Sequence, residues 1–428
     1  MNTHQFSKIQ KQFGTALDHD TIEAFAVETG FLRRRRLVTP VELALAIFSV
    51  LGSGRSDAIA DAVRTFNLLT GANVAYKPFH NQLAKQAFPL FMKAVAEHVV
   101  ASLASRVLSA AKGSPLRRFD DIIIQDGTCF RVHDDLASVF PRRFGVNGGI
   151  AGVEVHTTMS LMNDQVLKIA ITADTGPERA HLPTPQSLKN KLLLADRGYI
   201  DIAYCSKIAD AGGAMVQRAN AINPWIDRAF VDGKRVKSHT GVGLKSILRR
   251  LGHRMLDADC AWIAPKPDGV MLRVVSFRPP GRVDRVTLVT NLSREEFPAE
   301  TIAQLYRLRW QIELLFKEMK SHTNLKRFAT SKKPIVEGLI WAALAAVTLK
   351  RYLAHGAARV GRIPTSTLAA AKALRVPFAQ LIACVVTTKN VATQLKRTLQ
   401  FLSSQAPRAH PERDRTRGRL ATGLRPAI

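Results

Sequence analysis

Apolar residues along this chain change their period several times, and each change marks an element. From residue 1 to about 112 they recur at helical spacing, most clearly through Val41 to Gly52 and Ala87 to Ala111, which predicts a helical N-terminal region. The period then changes at Ile122, Ile123 and Ile124, a β-branched run that reads as a buried strand, with Asp126-Gly127-Thr128 where that strand is expected to end. Residues 152–162 and 165–174 are strand-like, and Asn163-Asp164 between them suits a hairpin turn. Leu192 to Leu194 form another short apolar run leading into Asp196-Arg197-Gly198-Tyr199. Further strand-like pieces at 269–277 and 285–292 make residues 197–300 β-rich, and residues 321–402 return to a helical pattern. The long apolar stretch from Ile335 to Leu353 is interrupted by Glu337, Lys350 and Arg351, so it predicts a buried helix rather than a membrane span. From Ser403 the chain is rich in Arg, Pro and Gly, which predicts a disordered basic tail over 403–428.

The segment 306–320, YRLRWQIELLFKEMK, carries the most chemistry. On a continuous helix of about 100° per residue, Arg309, Glu313 and Lys320 lie roughly 60°, 20° and 40° to one side of Tyr306. Leu305, Leu308, Ile312, Leu315, Phe316 and Met319 take the opposite arc, as expected of a helix packed by one face. A carboxylate held between two cations and a phenol suits metal binding beside a polyanion. The same spacing also describes a solvated face with an ordinary Arg309–Glu313 pair. An aspartate after an apolar run is equally a turn or cap residue, and Asp120 and Asp121 are read that way.

The spacing Tyr-x2-Arg-x3-Glu-x6-Lys resembles the YREK signature of DDE transposases of the bacterial insertion sequence 4 family. The residues around Asp126 and Asp196 look like that family's DGT and ADRGY motifs, and the resemblance extends from about Phe31 to Phe328. It implies an α/β fold with a ribonuclease H-like catalytic core formed by residues 113–196 and 301–328. A β-rich insertion over 197–300 would interrupt that core, with a helical N-terminal DNA-binding region over 1–112 and a C-terminal helical region over 329–402. Asp126, Asp196 and Glu313 would be the catalytic residues and the ligands of two Mg²⁺ ions, for which Mn²⁺ can substitute. Tyr306, Arg309 and Lys320 would grip phosphates near the cut. Arg33, Arg34, Arg35 and Arg36 would contact the backbone of the element's ends, although a solvated basic cluster reads the same way. The resemblance further implies cut-and-paste through hairpin ends and a homodimer in the synaptic complex. His156 matches a histidine common after the family's first strand, but Glu154 stands where many members have a basic residue, so a core histidine remains open. Trp225 and Trp262 lie in the expected insertion, where an indole either stacks on a flipped base or packs in a core.

Three carboxylates answer to a definite chemistry. Phosphodiester cleavage places charge on an attacking and a leaving oxygen, and two divalent ions about 4 Å apart stabilise both. Mg²⁺ prefers hard oxygen ligands and keeps several waters, so one or two carboxylates per ion suffice. Activated water nicks the strand, and the freed 3′-OH then attacks a second phosphodiester in the same pocket.

Charge narrows the partner. Lys and Arg number 62 against 34 Asp and Glu, a formal net charge of +28, which points to double-stranded DNA, here terminal inverted repeats and a target, bound with a steep salt dependence. A hydrophobic content of 46% excludes wholesale disorder, and the length supports one large core and a second, smaller one. Cys129, Cys205, Cys260 and Cys384 lack CxxC or CxxH spacing, which argues against a zinc site or a disulfide scaffold. With no signal-peptide pattern and no membrane partner, the expectation is a cytoplasmic, nucleoid-associated bacterial protein. Two other readings share these features: a ribonuclease H-like nuclease without transposition, and a catalytically silent, transposase-derived DNA-binding repressor. Intact Asp126, Asp196 and Glu313 weigh against the repressor.

Overall fold

A computed structural model describes residues 3–54, 58–143, 149–220, 222–262, 270–323 and 330–427. Lys326, Arg327 and Phe328, at the end of the family resemblance, lie outside the described residues. The N-terminal region is helical as expected: α1 (Thr3–Ala16), α2 (His19–Glu28), α3 (Pro40–Ser53), α4 (Ala58–Thr70), α5 (Tyr76–Leu83) and α6 (Ala87–Ser102). Local chemistry sets the limits of α3. Thr39 accepts from the Glu42 amide and donates to the Glu42 carboxylate, Pro40 occupies the first turn, and Gly54 closes the helix at a left-handed φ of 69°.

After β1 (Leu108–Ala110) come β2 (Asp121–Arg131), β3 (Gly152–Ser160), β4 (Gln165–Ala173) and β5 (Lys191–Ala195), then α7 (Ile202–Asp210) and β6 (Ala214–Arg218). Next are β7 (Trp225–Val231), β8 (Lys234–Arg235), α8 (Leu244–Arg250), β9 (Leu256–Trp262), β10 (Val270–Phe277) and β11 (Val286–Thr290). Among the described residues, ten of these strands form one sheet in the order β4-β3-β2-β5-β6-β11-β10-β9-β7-β8. Strand β3 pairs antiparallel with both β2 and β4, whereas β2, β5 and β6 run parallel. Residues 197–300, read as an insertion, therefore begin with α7 and β6, which continue the parallel part of the sheet. The strands that follow extend the same sheet through the β6–β11 pairing.

Strand β2 corrects the sequence reading. It does not end at Asp126 but runs on to Arg131, because β3 pairs with it throughout; what ends there is the β5 side, whose last pair is Gln125 with Ala195. The turn between β3 and β4 is also longer than Asn163-Asp164. It comprises residues 161–164, with Asp164 at φ 51°, a conformation that Asp tolerates.

Both faces of the sheet are covered, and the side chains divide by strand periodicity. Ile122, Ile124, Leu192, Leu194 and Val216 join the large core under the helices. Ile123, Leu193 and Met215 join a second, smaller core with α7 and α8. The C-terminal part contributes α9 (Ala299–Arg307), α10 (Trp310–His322), α11 (Lys333–Gly361), α12 (Thr367–Ala373), α13 (Arg375–Val386), α14 (Val391–Gln405), α15 (Pro411–Arg417) and β12 (Leu424–Pro426). Helix α11 is the buried helix expected over 335–353, and it packs against α6 and α3. Among the described residues, no single helix is long and apolar enough to cross a membrane, although the bent pair α12 and α13 passes by length and composition.

The tail also differs from expectation. Residues 403–428 contain α15 and β12, the latter paired with β1 through Leu108–Pro426 and Ala110–Leu424. Composition could not show that Leu424 is fully buried or that Arg419 reaches Asp164 at 3.8 Å. Asp164 is the centre of a buried charge network: Arg351 donates to it at 2.7 Å and to Glu318 at 2.9 Å, and His355 Nε2 lies 2.9 Å away. Burial acts to raise the Asp164 pKa, but Arg351 and His355 outweigh it and hold the carboxyl well below the usual range.

Candidate active site

Three acids far apart in sequence meet where β5 ends. Asp126 lies on the β2 face shared with Ile122 and Ile124, toward the helices. Asp196 follows β5 directly, one step past the last β2–β5 pair, so adjacent parallel strands deliver the two aspartates side by side. Glu313 comes from the first turn of α10, where the helix dipole favours a carboxylate, and Ile312, Leu315, Phe316 and Met319 seat that helix in the large core.

The expected continuous helix over 306–320 is broken at Leu308 and Arg309. Leu308, Arg309, Gln311 and Ile312 donate to carbonyls three residues earlier, a tighter winding than the α-helix. Tyr306 thus lies in the last turn of α9 while Arg309 caps α10. No Pro or Gly marks this junction, so the apolar period alone could not reveal it.

The four residues of the predicted stripe still converge, but on the protein's own groups. Arg309 ion-pairs with Asp126 through Nη1 and lies 3.3 Å from Glu313 Oε1. Tyr306 Oη donates to Asp196 Oδ1 at 2.9 Å, and Lys320 Nζ donates to the Cys129 carbonyl of β2 at 2.8 Å. The electrostatics register this crowding. Burial pushes the Asp126 carboxyl up to about 7; Glu313 and Asp196 push in the same direction, while Arg309 opposes them. Burial works against the Arg309 charge too, yet Asp126, Asp196 and Glu313 keep its pKa raised.

Three hard oxygen donors around a single guanidinium fit a divalent cation, since the excess negative charge is what such an ion would neutralise. The Arg309 guanidinium stands in for that positive charge between Asp126 and Glu313.

The remaining candidates separate from this centre. Arg33, Arg34, Arg35 and Arg36 are exposed in the loop between α2 and α3, and Arg35 pairs with Glu23 at 3.0 Å. His156 is buried on the opposite face of the sheet, 3.0 Å from Thr172 Oγ1 and stacked on His181 at 3.9 Å. Burial, reinforced by His181, lowers its pKa to about 4, which is the behaviour of a neutral core histidine. Trp225 is 49% exposed at the start of β7, whereas Trp262 is half-buried and packs against the second core. Sequence reasoning passed over Trp310, 60% exposed and adjacent to Arg309; a large indole interrupting the polar side of the stripe was its only signal.

A family model described as a transposase DDE domain matches residues 117–349. The chain is 23% identical to the transposase of insertion sequence element IS231C from Bacillus thuringiensis subsp. berliner over 365 residues, 76% of this chain and 75% of that protein. It is 28% identical to a putative transposase of Sinorhizobium fredii over 222 residues, 51% of this chain and 56% of the relative. It is 39% identical to a putative transposase of element IS186A from Escherichia coli over 77 residues, 18% and 21% of the two chains. Among solved structures, a piggyBac transposase synaptic complex with hairpin DNA aligns with a TM-score of 0.48 and 11% identity, covering 94% of this chain and 86% of that one.

Proposed function

The chain belongs to the DDE transposase family, metal-dependent enzymes that cleave DNA and transfer the cut strand, and on that premise we propose that Asp126, Asp196 and Glu313 are its catalytic metal ligands. One observation carries the proposal. A single guanidinium, that of Arg309, pairs with Asp126 from β2 and Glu313 from α10, while Tyr306 beside it holds Asp196. The strand order β4-β3-β2-β5-β6, three antiparallel strands followed by two parallel ones, supports a ribonuclease H-like core. We read the strands from β7 to β11 as an insertion that lengthens its sheet.

Two Mg²⁺ ions, when bound, activate the attacking water or 3′-OH and stabilise the leaving oxygen. The chain's own residues prepare that chemistry. Asp126 and Asp196 supply oxygens from neighbouring strands, so their spacing is fixed by the sheet. Tyr306 orients Asp196 by its hydrogen bond. Lys320 ties α10 to β2 through the Cys129 carbonyl and so fixes the position of Glu313 relative to Asp126. With Asp126 and Glu313 holding metal, the Arg309 guanidinium would be free to bind a DNA phosphate, for which its forked donors are suited.

The Tyr306, Arg309, Glu313 and Lys320 spacing supports placement in the insertion sequence 4 group. A cut-and-paste route through hairpin ends accords with the exposed Trp310, next to Arg309 in the chain, on which an unpaired base could stack. An element has two ends, and one active site per end implies a homodimer in the synaptic complex. The cations of Arg33 to Arg36 would hold end DNA by its backbone.

The test is cleavage of duplex carrying the element's own ends in Mg²⁺. Asp126→Asn, Asp196→Asn and Glu313→Gln should each lower the nicking rate by roughly 10⁴-fold, the scale of losing one member of a catalytic set, while end binding persists. Nicking at near wild-type rate by any of the three would remove that residue from the site.

A further inference from the structure

The face of the sheet turned away from Asp126 carries a second group of ligand-forming side chains. Strand alternation sends Gly127 and Cys129 of β2 to that face. The register then sets Glu154 of β3 opposite Cys129 and Thr172 of β4 opposite Glu154, with Asp174 just beyond β4. Ligand atoms of Cys129, Glu154 and Asp174 lie within 4.8 Å of one another. The Cys129 thiol donates to Asp174 Oδ1 at 3.1 Å, and Glu154 is 4% exposed.

An independent feature points into the same space. Tyr199 is 1% exposed, and its hydroxyl, which has the Gln125 side chain as a neighbour, makes no hydrogen bond of acceptable geometry. That hydroxyl converges with Glu154 above Gly127: a Cβ built on Gly127 would stand 3.3 Å from Tyr199 Oη and 2.5 Å from Glu154 Oε1. Two neighbouring acids and an unsatisfied hydroxyl are a costly combination to bury, and a cation with its water would relieve that cost.

We propose that Cys129, Glu154 and Asp174 form a structural site for one transition-metal dication of the Zn²⁺ type, with a water held by Tyr199 as a further ligand. A thiolate with two carboxylates favours Zn²⁺ or Co²⁺ over Mg²⁺, which prefers oxygen alone. On binding, the thiol proton now shared with Asp174 is released to solvent and the ion takes its place. Arg142, 3.8 Å from Asp174, balances part of the charge of three anionic ligands. The ion would join β2, β3 and β4 just beyond Asp126, as a positioning device separate from the ions of the cleavage chemistry. Isolated cysteines without paired spacing gave no sign of this site, because its ligands come from three strands.

The experiment is titration of the full-length protein with Co²⁺, following the near-ultraviolet charge-transfer absorption that only a thiolate ligand produces. A stoichiometric band is expected in the wild type, in Asp126→Asn and in Cys384→Ser, and excess Zn²⁺ should displace it. The band should vanish in Cys129→Ser, and Co²⁺ affinity should fall by about tenfold or more in Glu154→Gln and Asp174→Asn. Should Cys129→Ser not fold, the two carboxylate variants decide the matter. No band in the wild type, an unchanged band in Cys129→Ser, or unchanged affinity in both carboxylate variants would overturn the site. Failure here leaves the cleavage assay of Asp126→Asn untouched, so the two proposals stand or fall separately.

Discussion

Arg309 and Asp126 lie 183 residues apart in the chain and form an ion pair in which their side chains are only 13% and 14% exposed. The same guanidinium lies 3.3 Å from Glu313, so one cation bridges a strand and a helix across the site. A buried carboxylate whose counter-charge sits on a side chain can exchange that charge for a metal ion without restructuring the sheet.

Removing the guanidinium should therefore separate metal binding from DNA positioning. In Arg309→Ala the acids face an incoming dication without competition, so calorimetric Mn²⁺ affinity should hold or rise, while cleavage falls by roughly 10²-fold through misplacement of the strand. A loss of Mn²⁺ affinity as large as that in Glu313→Gln would show that Arg309 supports the metal rather than standing in for it.

The network around Asp164 should be a major point of stability. Arg351 is buried against Asp164 and Glu318, so Arg351→Met removes the guanidinium that two buried carboxylates share and should cost about 3–5 kcal/mol, read as a lowered denaturation midpoint. Because Arg419 also reaches Asp164, limited proteolysis should attack residues 403–428 faster in this variant. Unchanged stability together with an unchanged proteolysis rate would contradict the network's role.

Lys350 predicts a pH dependence. It is buried in α11 with its ammonium on the Gly52 carbonyl, and desolvation lowers its pKa from 10.5 to about 7. Between those values the unfolded chain binds the proton and the folded chain does not, so this residue makes stability rise from pH 7 toward pH 10.5. Below about 7 the charged form is buried and its full cost is present. Lys350→Met should flatten that rise, and melting temperatures of both proteins at pH 7 and pH 9 will measure it. Parallel pH profiles for the two proteins would exclude Lys350 as the source.

The exposed run from Arg33 to Arg36 should act on affinity rather than on selectivity. Replacing all four with Gln should weaken binding to end and scrambled duplexes alike, and every phosphate left without its cation should flatten the log–log salt slope by about 0.9. Fluorescence anisotropy at two salt concentrations distinguishes this from a weakening confined to end DNA, which would give these arginines a role in reading sequence.

Apolar periodicity determined much of this protein by itself. The N-terminal helices, the strand at Ile122 to Ile124, the buried helix at Ile335 to Leu353 and the packed face of α10 follow from spacing, because each element must turn its own apolar residues inward whatever surrounds it. The motifs around Asp126, Asp196 and Glu313 were legible for a related reason: they belong to short segments whose spacing is local. Tertiary structure decided what lies between segments. The break at Leu308 and Arg309, the extension of β2 past Asp126 along β3, the docking of β12 on β1 and the row Cys129, Glu154 and Asp174 each depend on a partner from a distant part of the chain. Arg309 shows the division most clearly. Its identity and its distance from Glu313 are written in the sequence, but its pairing with Asp126 exists only because the sheet and α10 pack together, and a pairwise energy has no value until both partners are in place.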